Sequence, residues 1–128
     1  SDGAVRYWAA MGLLMRRRNG VELARADLHH ALTDKSPSVR IAAAEALGRY
    51  GEEADLNDAL PVLLELAAYE QNGLWHSVQS LNAIDALDSK ATSGIETVKT
   101  AFRGGEAIPE RMREYIPRLI ERIVANAK

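Results

Sequence analysis

Several features are missing from this sequence, and each absence excludes a class of protein. There is no cysteine among the 128 residues, which excludes disulfides, thiol catalysis and cysteine-type zinc sites and leaves the redox compartment undetermined. No apolar run reaches the roughly 18 residues that a membrane-spanning helix requires, and no signal-peptide pattern opens the chain. The net charge is only −2, so no global basic field exists to hold nucleic acid or an anionic membrane.

Catalytic motifs are missing as well. The residues form no Ser-His-Asp arrangement, no glycine-rich phosphate loop and no defensible pair of carboxylates. No period-two run bounded by hairpin turns predicts a strand. Hydrophobic residues make up 47% of the chain, which is enough for one domain with a core.

One stretch, residues 34–51, organises the rest of the chain. Its sequence predicts a helix over residues 37–50, with Ser36 as the cap and Pro37 at the first helical position, where a missing N–H costs nothing. Two glycines close the helix (Gly48 and Gly51). Small apolar residues share one face at helical spacing, which suits close packing against other helices: Val39, Ala42, Ala43, Ala46 and Leu47.

The same pattern occurs more than once. Residues 5–13 align with residues 39–47 at an offset of 34 residues (39 − 5), with Val, Arg, two Ala and Leu identical. A weaker copy covers residues 74–88. Self-similarity at this period indicates a helical solenoid, whose units must stack to bury their apolar faces. We therefore predict one all-α domain over residues 1–128, a short right-handed α-α superhelix of six or seven helices.

Periodicity and breakers divide the chain into segments. We expect an acidic linker at residues 52–57 with Asp58 capping the next helix, a turn at residues 71–73, and a capping box from Ser93 to Glu96. Pro117 is expected to kink or break the last segment, which begins at Pro109. Before that segment, the predicted helices span residues 3–18, 21–33, 37–50, 59–70, 74–88 and 94–103. The helix over residues 94–103 is expected to end at Gly104-Gly105.

The repeated residues resemble HEAT repeats. The resemblance lies in Asp34, Val39-Arg40, Ala43 and Ala46-Leu47-Gly48, which recur as Val5-Arg6, Ala9 and Leu13. It implies a ladder in which a turn aspartate pairs with helix arginines, so we predict that Asp34 pairs with Arg40 or Arg6. The first copy has no ladder aspartate, because Asp2 aligns with Ser36. We infer that the chain was cut from something larger or begins at an atypical cap.

The sequence of residues 4–51 and 80–87 also resembles the C-terminal helical region of bacterial sulfatases, the enzymes similar to N-sulfoglucosamine sulfohydrolase and arylsulfatases. This resemblance implies a periplasmic or extracellular parent that hydrolyses sulfate esters or sulfamates with calcium and a formylglycine nucleophile. The nucleophile motif, C/S-x-P-x-R, is not present, and Ser36-Pro37-Ser38 does not fit it. The segment would then be a non-catalytic appendage without a cofactor. A general HEAT-like repeat, such as the phycobilisome-lyase type, fits the helices equally.

The candidate interaction residues are two tryptophans and three arginines. Trp8 and Trp75 could anchor a partner on a concave face, but we favour the interpretation that both fill core volume, or that Trp8 packs on an absent upstream helix. Arg16, Arg17 and Arg18 could grip an anion, but we favour the interpretation that they complement the dipole at the end of the first helix.

The remaining polar clusters receive structural interpretations. His29 and His30 point about 100° apart on a helix and cannot easily share a metal, and His76 is distant in sequence. An acidic cluster (Glu52, Glu53, Asp55 and Asp58) could gather a cation, but a solvated capping turn is the favoured interpretation. Three arginines near the C-terminus (Arg111, Arg118 and Arg122) could meet an anion, but surface ion pairs are favoured.

Three functions follow from these features. The first is a packing module that binds the catalytic domain of a sulfatase-like parent, the second is a free-standing protein-binding scaffold, and the third is a module that binds sulfated glycan or nucleic acid through its arginines. An enzyme within these residues alone is the least favoured class.

Overall fold

The structure is a computed structural model, and it describes residues 2–102 and 108–127. Within these residues there is no strand, so the predicted all-α class is confirmed. Two 3₁₀ segments, Asp88–Gly94 and Glu110–Met112, accompany the α-helices. The helices are α1 (Gly3–Met15), α2 (Arg17–Ala31), α3 (Pro37–Tyr50), α4 (Glu53–Ala67), α5 (Tyr69–Ala86), α6 (Ile95–Lys99) and α7 (Tyr115–Asn126).

The chain divides into two units, the first ending at Val62 and the second beginning at Leu63. In the first unit, α1, α2 and α3 all pack against one another. The repeat face of α3 is buried, and it consists mainly of alanine. Side chains this small let helix axes approach closely, so α3 forms the core of this unit.

Local contacts explain where α3 begins and ends. Pro37 occupies the first position as predicted, but Ser36 makes no side-chain cap bond. Instead, Asp34 Oδ1 accepts a hydrogen bond from the N–H of Ser36 at 2.8 Å. Gly51 is the C-cap, whereas Gly48 lies buried inside the helix and does not close it. The turn aspartate thus replaces the predicted serine as the polar group that orders the helix entry.

The second unit packs α5 and α6 against α7. Two hydroxyl contacts, of which that of Ser80 is buried, tie its segments together. Ser80 Oγ donates to the carbonyl of Leu63 at 2.6 Å, and Thr92 Oγ1 donates to the carbonyl of Ala127. Its core is formed by large aliphatic side chains that are almost fully buried: Leu81, Ile84, Val98, Ile116, Leu119 and Ile123.

Several predicted boundaries are wrong, and the first lies between α1 and α2. The first helix ends at Met15 and not at residue 18. Arg17 has a φ of +57°, a left-handed conformation that interrupts a helix. The second helix begins at this same residue and includes residues 19–20, which the prediction left between two helices.

The start of α4 is also different from the prediction. Residues 52–57 are not a linker, because α4 begins at Glu53, and Asp58 lies inside it. Asp55, its third residue, accepts a hydrogen bond from the N–H of Glu52 at 2.7 Å, which supplies the partner that a helix start needs. Pro61 therefore lies in the helix interior and not in its first turn.

Three further predictions of local structure are wrong, at α5, α6 and α7. The fifth helix begins at Tyr69, and the predicted turn survives only as a break at Gly73, whose φ of +78° suits glycine. The capping box from Ser93 does not form, because a 3₁₀ segment precedes α6 and its cap, Gly94, has no side chain to accept a hydrogen bond from the first turn. Pro117 does not kink α7, since it sits in the first turn. Gly104-Gly105 lies outside the described residues.

Candidate interaction surfaces

Helix α1 carries an apolar face that the first unit leaves uncovered. Val5 is 61% exposed, Trp8 is 68% exposed and Met15 is 77% exposed. Ala9 and Gly12 on the same helix are exposed too. Trp8 therefore does not fill core volume among the described residues, and its packing on an upstream helix stays a prediction. Its ring contacts the edge of Tyr7 at a centroid distance of 5.4 Å and otherwise stands at the surface. We call Val5, Trp8, Ala9, Gly12 and Met15 the α1 surface.

The repeat makes this exposure informative. The residues of α3 that align with Val5 and Trp8 are Val39, which is 1% exposed, and Ala42, which is 3% exposed. The equivalents of Ala9 and Gly12 are also buried in α3. Since α3 packs against both α1 and α2, the same repeat position is covered in α3 and open in α1.

The three arginines after Met15 are exposed. Arg16 is the C-cap of α1, and no basic residue lies in the last turn of that helix. Arg17 and Arg18 instead open α2, where the helix dipole disfavours positive charge. Arg16 therefore lies where its charge can complement the dipole of α1, whereas Arg17 and Arg18 belong to the next helix. Anion binding by the three arginines stays a prediction.

The turn before α3 holds the ion pair on which the repeat resemblance depends. Arg6 Nε donates to Asp34 Oδ2 at 2.7 Å, and Arg6 Nη2 donates to Asp34 Oδ1 at 3.1 Å. Of the two pairings predicted for Asp34, the structure forms the one with Arg6. Arg40 does not pair with it, and its Nε is buried without a hydrogen-bond partner among the described residues.

This geometry favours the ionised carboxylate. The hydrogen bond from Arg6, with a second from the N–H of Ser36, lowers the pKa of Asp34, and the bond to Asp34 raises the pKa of Arg6. A two-point arginine–carboxylate contact also fixes orientation. It links α1 to the turn that feeds α3, which is the role that the ladder hypothesis gives it.

A second polar cluster joins α2 to the start of α4. His29 Nε2 lies 2.7 Å from Asp55 Oδ1, and His29 Nδ1 lies 3.6 Å from Asp58 Oδ2. Arg25 Nη1 lies 3.5 Å from Asp55 Oδ2 and 3.6 Å from Glu52 Oε2. Only 3% of Asp55 is exposed, so this residue is the buried centre of the cluster.

Burial and hydrogen bonding act on Asp55 in opposite directions. Burial alone would raise the pKa of its carboxyl group, but the bonds from His29 and from the N–H of Glu52, with Arg25 nearby, hold the pKa below its usual value. In the described residues, no three metal-ligating side chains are grouped so as to hold a cation. Asp55 caps a helix as the favoured interpretation proposed, but it is buried, not solvated.

The C-terminal arginines share no ion-pair partner that would bring them together. Arg118 pairs with Glu114 at 3.6 Å, and Arg122 Nη2 lies 2.8 Å from Asp85 Oδ2. Arg118 and Arg122 thus form ion pairs, which is the favoured interpretation of these arginines. Arg111 forms no ion pair within the described part of the chain and lies beside a groove.

That groove lies between α5 and the 3₁₀ segment Glu110–Met112 in the second unit. It is a cavity of about 560 Å³, lined by Leu74, Trp75, Val78, Asn82, Arg111 and Met112, with Gln79 beside them. Trp75 is 76% exposed, so the interpretation of this tryptophan as core filling is also wrong. We call this feature the α5 groove.

A family model of HEAT repeats matches residues 1–82 of the chain. The chain belongs to the HEAT repeat family. The match covers both copies of the repeat that the offset of 34 residues relates and reaches the third. No curated protein and no solved structure matches this HEAT-repeat chain. None of the helices in the described ranges has the length and hydrophobicity needed to cross a membrane.

Sequence reasoning missed two features of this HEAT-repeat chain. The pair of His29 and Asp55 joins residues 26 positions apart, and a sequence of one chain gives no signal for it. The start of α4 did have a signal in the sequence, namely the acidic residues after Gly51. Acidic side chains in the first turn of a helix are stabilised by the helix dipole. The α5 groove depends on where Arg111 and Met112 come to lie, which helical periodicity does not predict.

Proposed function

We propose that this HEAT-repeat chain is a non-catalytic scaffold that binds a helix of a partner protein on the α1 surface. The observation that carries the proposal is the contrast between Trp8, 68% exposed, and its repeat equivalent Ala42, 3% exposed. A repeat unit buries its apolar face against the next layer of helices. The α1 surface is such a face that none of the described residues covers, and it has the pattern that α3 uses to pack against helices.

The surface suits a helix in detail. Val5, Trp8, Ala9 and Gly12 recur at the spacing of neighbours along one helix face. The position of Gly12 is open, because a Cβ placed there would meet nothing within 4 Å, so a second helix can approach closely at this point. Trp8 supplies a large exposed side chain of the type that anchors protein interfaces.

Site-specific photo-crosslinking in cells tests this function. We would place a photoreactive phenylalanine at Val5 or at Ala9, and at the exposed Glu22 of α2 as the matched control. The expected result is that positions 5 and 9 crosslink to one helix of one partner, at contacts spaced by helical turns, whereas position 22 does not.

Affinity for that partner helix, made as a peptide, is then measured with the purified chain. Trp8→Ala should weaken binding roughly 30-fold, as expected for a hot-spot tryptophan worth about 2 kcal/mol, while Glu22→Ala should leave it unchanged. Equal crosslinking at all three positions, or an affinity that Trp8→Ala does not alter, would refute the proposal.

The sulfatase resemblance adds a finer hypothesis, in which the partner helix belongs to the catalytic domain of the same parent. The match is to HEAT repeats in general, so this hypothesis rests on the resemblance of residues 4–51 and 80–87 alone. The gene sequence upstream of Ser1 tests it. A sulfatase domain with a C/S-x-P-x-R motif would support it, and any other upstream sequence would reject it while leaving the scaffold function standing.

A further inference from the structure

The α5 groove is chemically different from the α1 surface and belongs to the other unit. One side is a face of α5 made by Leu74, Trp75 and Val78, and the opposite side is Arg111 and Met112. Its lining is therefore mostly apolar, with a single cation and no acidic residue. A thioether side chain such as that of Met112 adapts its shape to varied apolar groups.

The charge of Arg111 is the unusual part of this site. Its neighbours in the C-terminal segment have partners: Arg113 Nε donates to the carbonyl of Ile108 at 3.4 Å, and Arg118 and Arg122 pair with Glu114 and Asp85. Across the described ranges, Arg111 forms no ion pair or hydrogen bond, and it is exposed at the edge of the groove. A guanidinium group in this state is ready to bind a carboxylate in a two-point contact.

We infer that the α5 groove binds a protein segment that carries an apolar side chain next to a carboxylate. The apolar side chain would pack on Trp75 and Met112, and the carboxylate would pair with Arg111. A protein segment fits better than a small molecule because Trp75 is 76% exposed. An open groove leaves one face of its ligand in water, as peptide grooves do, whereas small-molecule sites enclose about 70–90% of the ligand surface.

The proposal can be tested without knowing the natural partner. The probe is a phage-displayed library of random short peptides, panned on the full chain and, in parallel, on the Arg111→Glu variant. The expected result is that the wild-type chain enriches peptides with an aromatic or aliphatic residue close to Asp or Glu. The variant should enrich peptides in which Lys or Arg replaces the acid. Enrichment of peptides without any acidic preference on the wild-type chain would overturn the inference, as would no enrichment at all.

Affinity measurements then place the site. The best acidic peptide, labelled with a fluorophore, should bind Arg111→Glu at least about tenfold more weakly than the wild-type chain, since a bidentate charge pair becomes a repulsive one. Trp75→Ala should abolish binding while leaving the far-UV circular dichroism unchanged.

The matched control is Arg118→Glu, which makes the same change of charge on α7, outside the groove lining. This variant should bind the peptide as the wild-type chain does. Equal losses in Arg111→Glu and Arg118→Glu would show that net charge alone governs binding and would overturn the site. The test does not involve Trp8, so its outcome is independent of the scaffold function of the α1 surface.

Discussion

Replacing Asp55 with alanine should destabilise the chain strongly, although the residue lies in a stretch that looks like an acidic loop. Its carboxylate accepts two short hydrogen bonds, from His29 Nε2 at 2.7 Å and from the N–H of Glu52 at 2.7 Å. The alanine variant leaves both donors without this acceptor. It therefore removes two interactions. The first is the contact of His29 with Asp55, which joins α2 to α4, and the second is the hydrogen bond to the N–H of Glu52 at the start of α4.

The magnitude follows from burial. Hydrogen bonds to a charged group contribute about 1.5–3 kcal/mol each, so two of them give roughly 3–6 kcal/mol. Part of this is offset, because only 5% of the Asp55 side chain is exposed and truncation also removes the cost of burying a carboxylate. We expect a net loss of about 3 kcal/mol in the free energy of unfolding.

Urea unfolding followed by far-UV circular dichroism measures this loss, and Asp58→Ala is the matched control. Asp58 is a carboxylate on the same helix, 3.6 Å from the other nitrogen of His29, but 63% of its side chain is exposed. A surface pair of this kind contributes about 1 kcal/mol or less. If the two variants lose equal stability, the argument that burial of Asp55 sets the magnitude is refuted.

The pH dependence gives a second check on the same residue. The pKa of Asp55 is lower in the folded chain than its usual value of 3.8, so the folded state binds a proton at this group more weakly than the unfolded state. Its contribution is therefore complete above the unfolded pKa and is lost as the pH falls through the folded pKa. The stability gap between the wild-type chain and Asp55→Ala should be constant near neutral pH and should narrow below about pH 4.

Two further predictions concern the turns around α3. Asp34→Ala should lower the melting temperature, because Arg6 loses its two bonds to the Asp34 carboxylate. Adding Arg6→Gln to this variant should lower the melting temperature little further. An unchanged melting temperature in Asp34→Ala would reject the ladder hypothesis. Gly51→Ala should cost roughly 2–4 kcal/mol, since its Cβ would lie 2.5 Å from the carbonyl oxygen of Leu47. Gly12→Ala, whose Cβ meets nothing within 4 Å, should be neutral or stabilising in thermal unfolding, and a comparable loss in both glycine variants would contradict the steric argument.

The parts of the fold that could be predicted from the sequence are those that depend on the spacing of residues close together in the chain and on the repeat. Helix α3 was predicted over its observed bounds, because Pro37 marks its start and the alanine face has helical spacing. The offset between residues 5–13 and 39–47 predicted the repeat to which the family match corresponds. The register of that repeat limited the predicted partner of Asp34 to Arg40 or Arg6, which occupy equivalent positions, and the structure forms the pair with Arg6.

The errors concern properties that depend on a neighbour distant in sequence. Hydrophobicity predicted that Trp8 and Trp75 are buried, but burial requires another element to lie over the side chain, and none of the described residues covers either ring. Asp55 shows the opposite case. Its charge suggested a solvated turn, whereas a histidine 26 residues away and a helix N-terminus provide the partners that let a carboxylate be buried.

The same comparison of repeats also limits how a helix can dock on α1. At the position of Trp8, the packed helix α3 has Ala42, and a small residue at a helix contact is what permits close axes. A helix that covers the α1 surface cannot reproduce that spacing at Trp8, because the indole occupies the volume that alanine leaves open. It must provide small residues or a recess opposite the ring and can come closest at Gly12. If the α1 surface binds a helix as we propose, the tryptophan makes it selective among helices, which a face of alanines alone would not be.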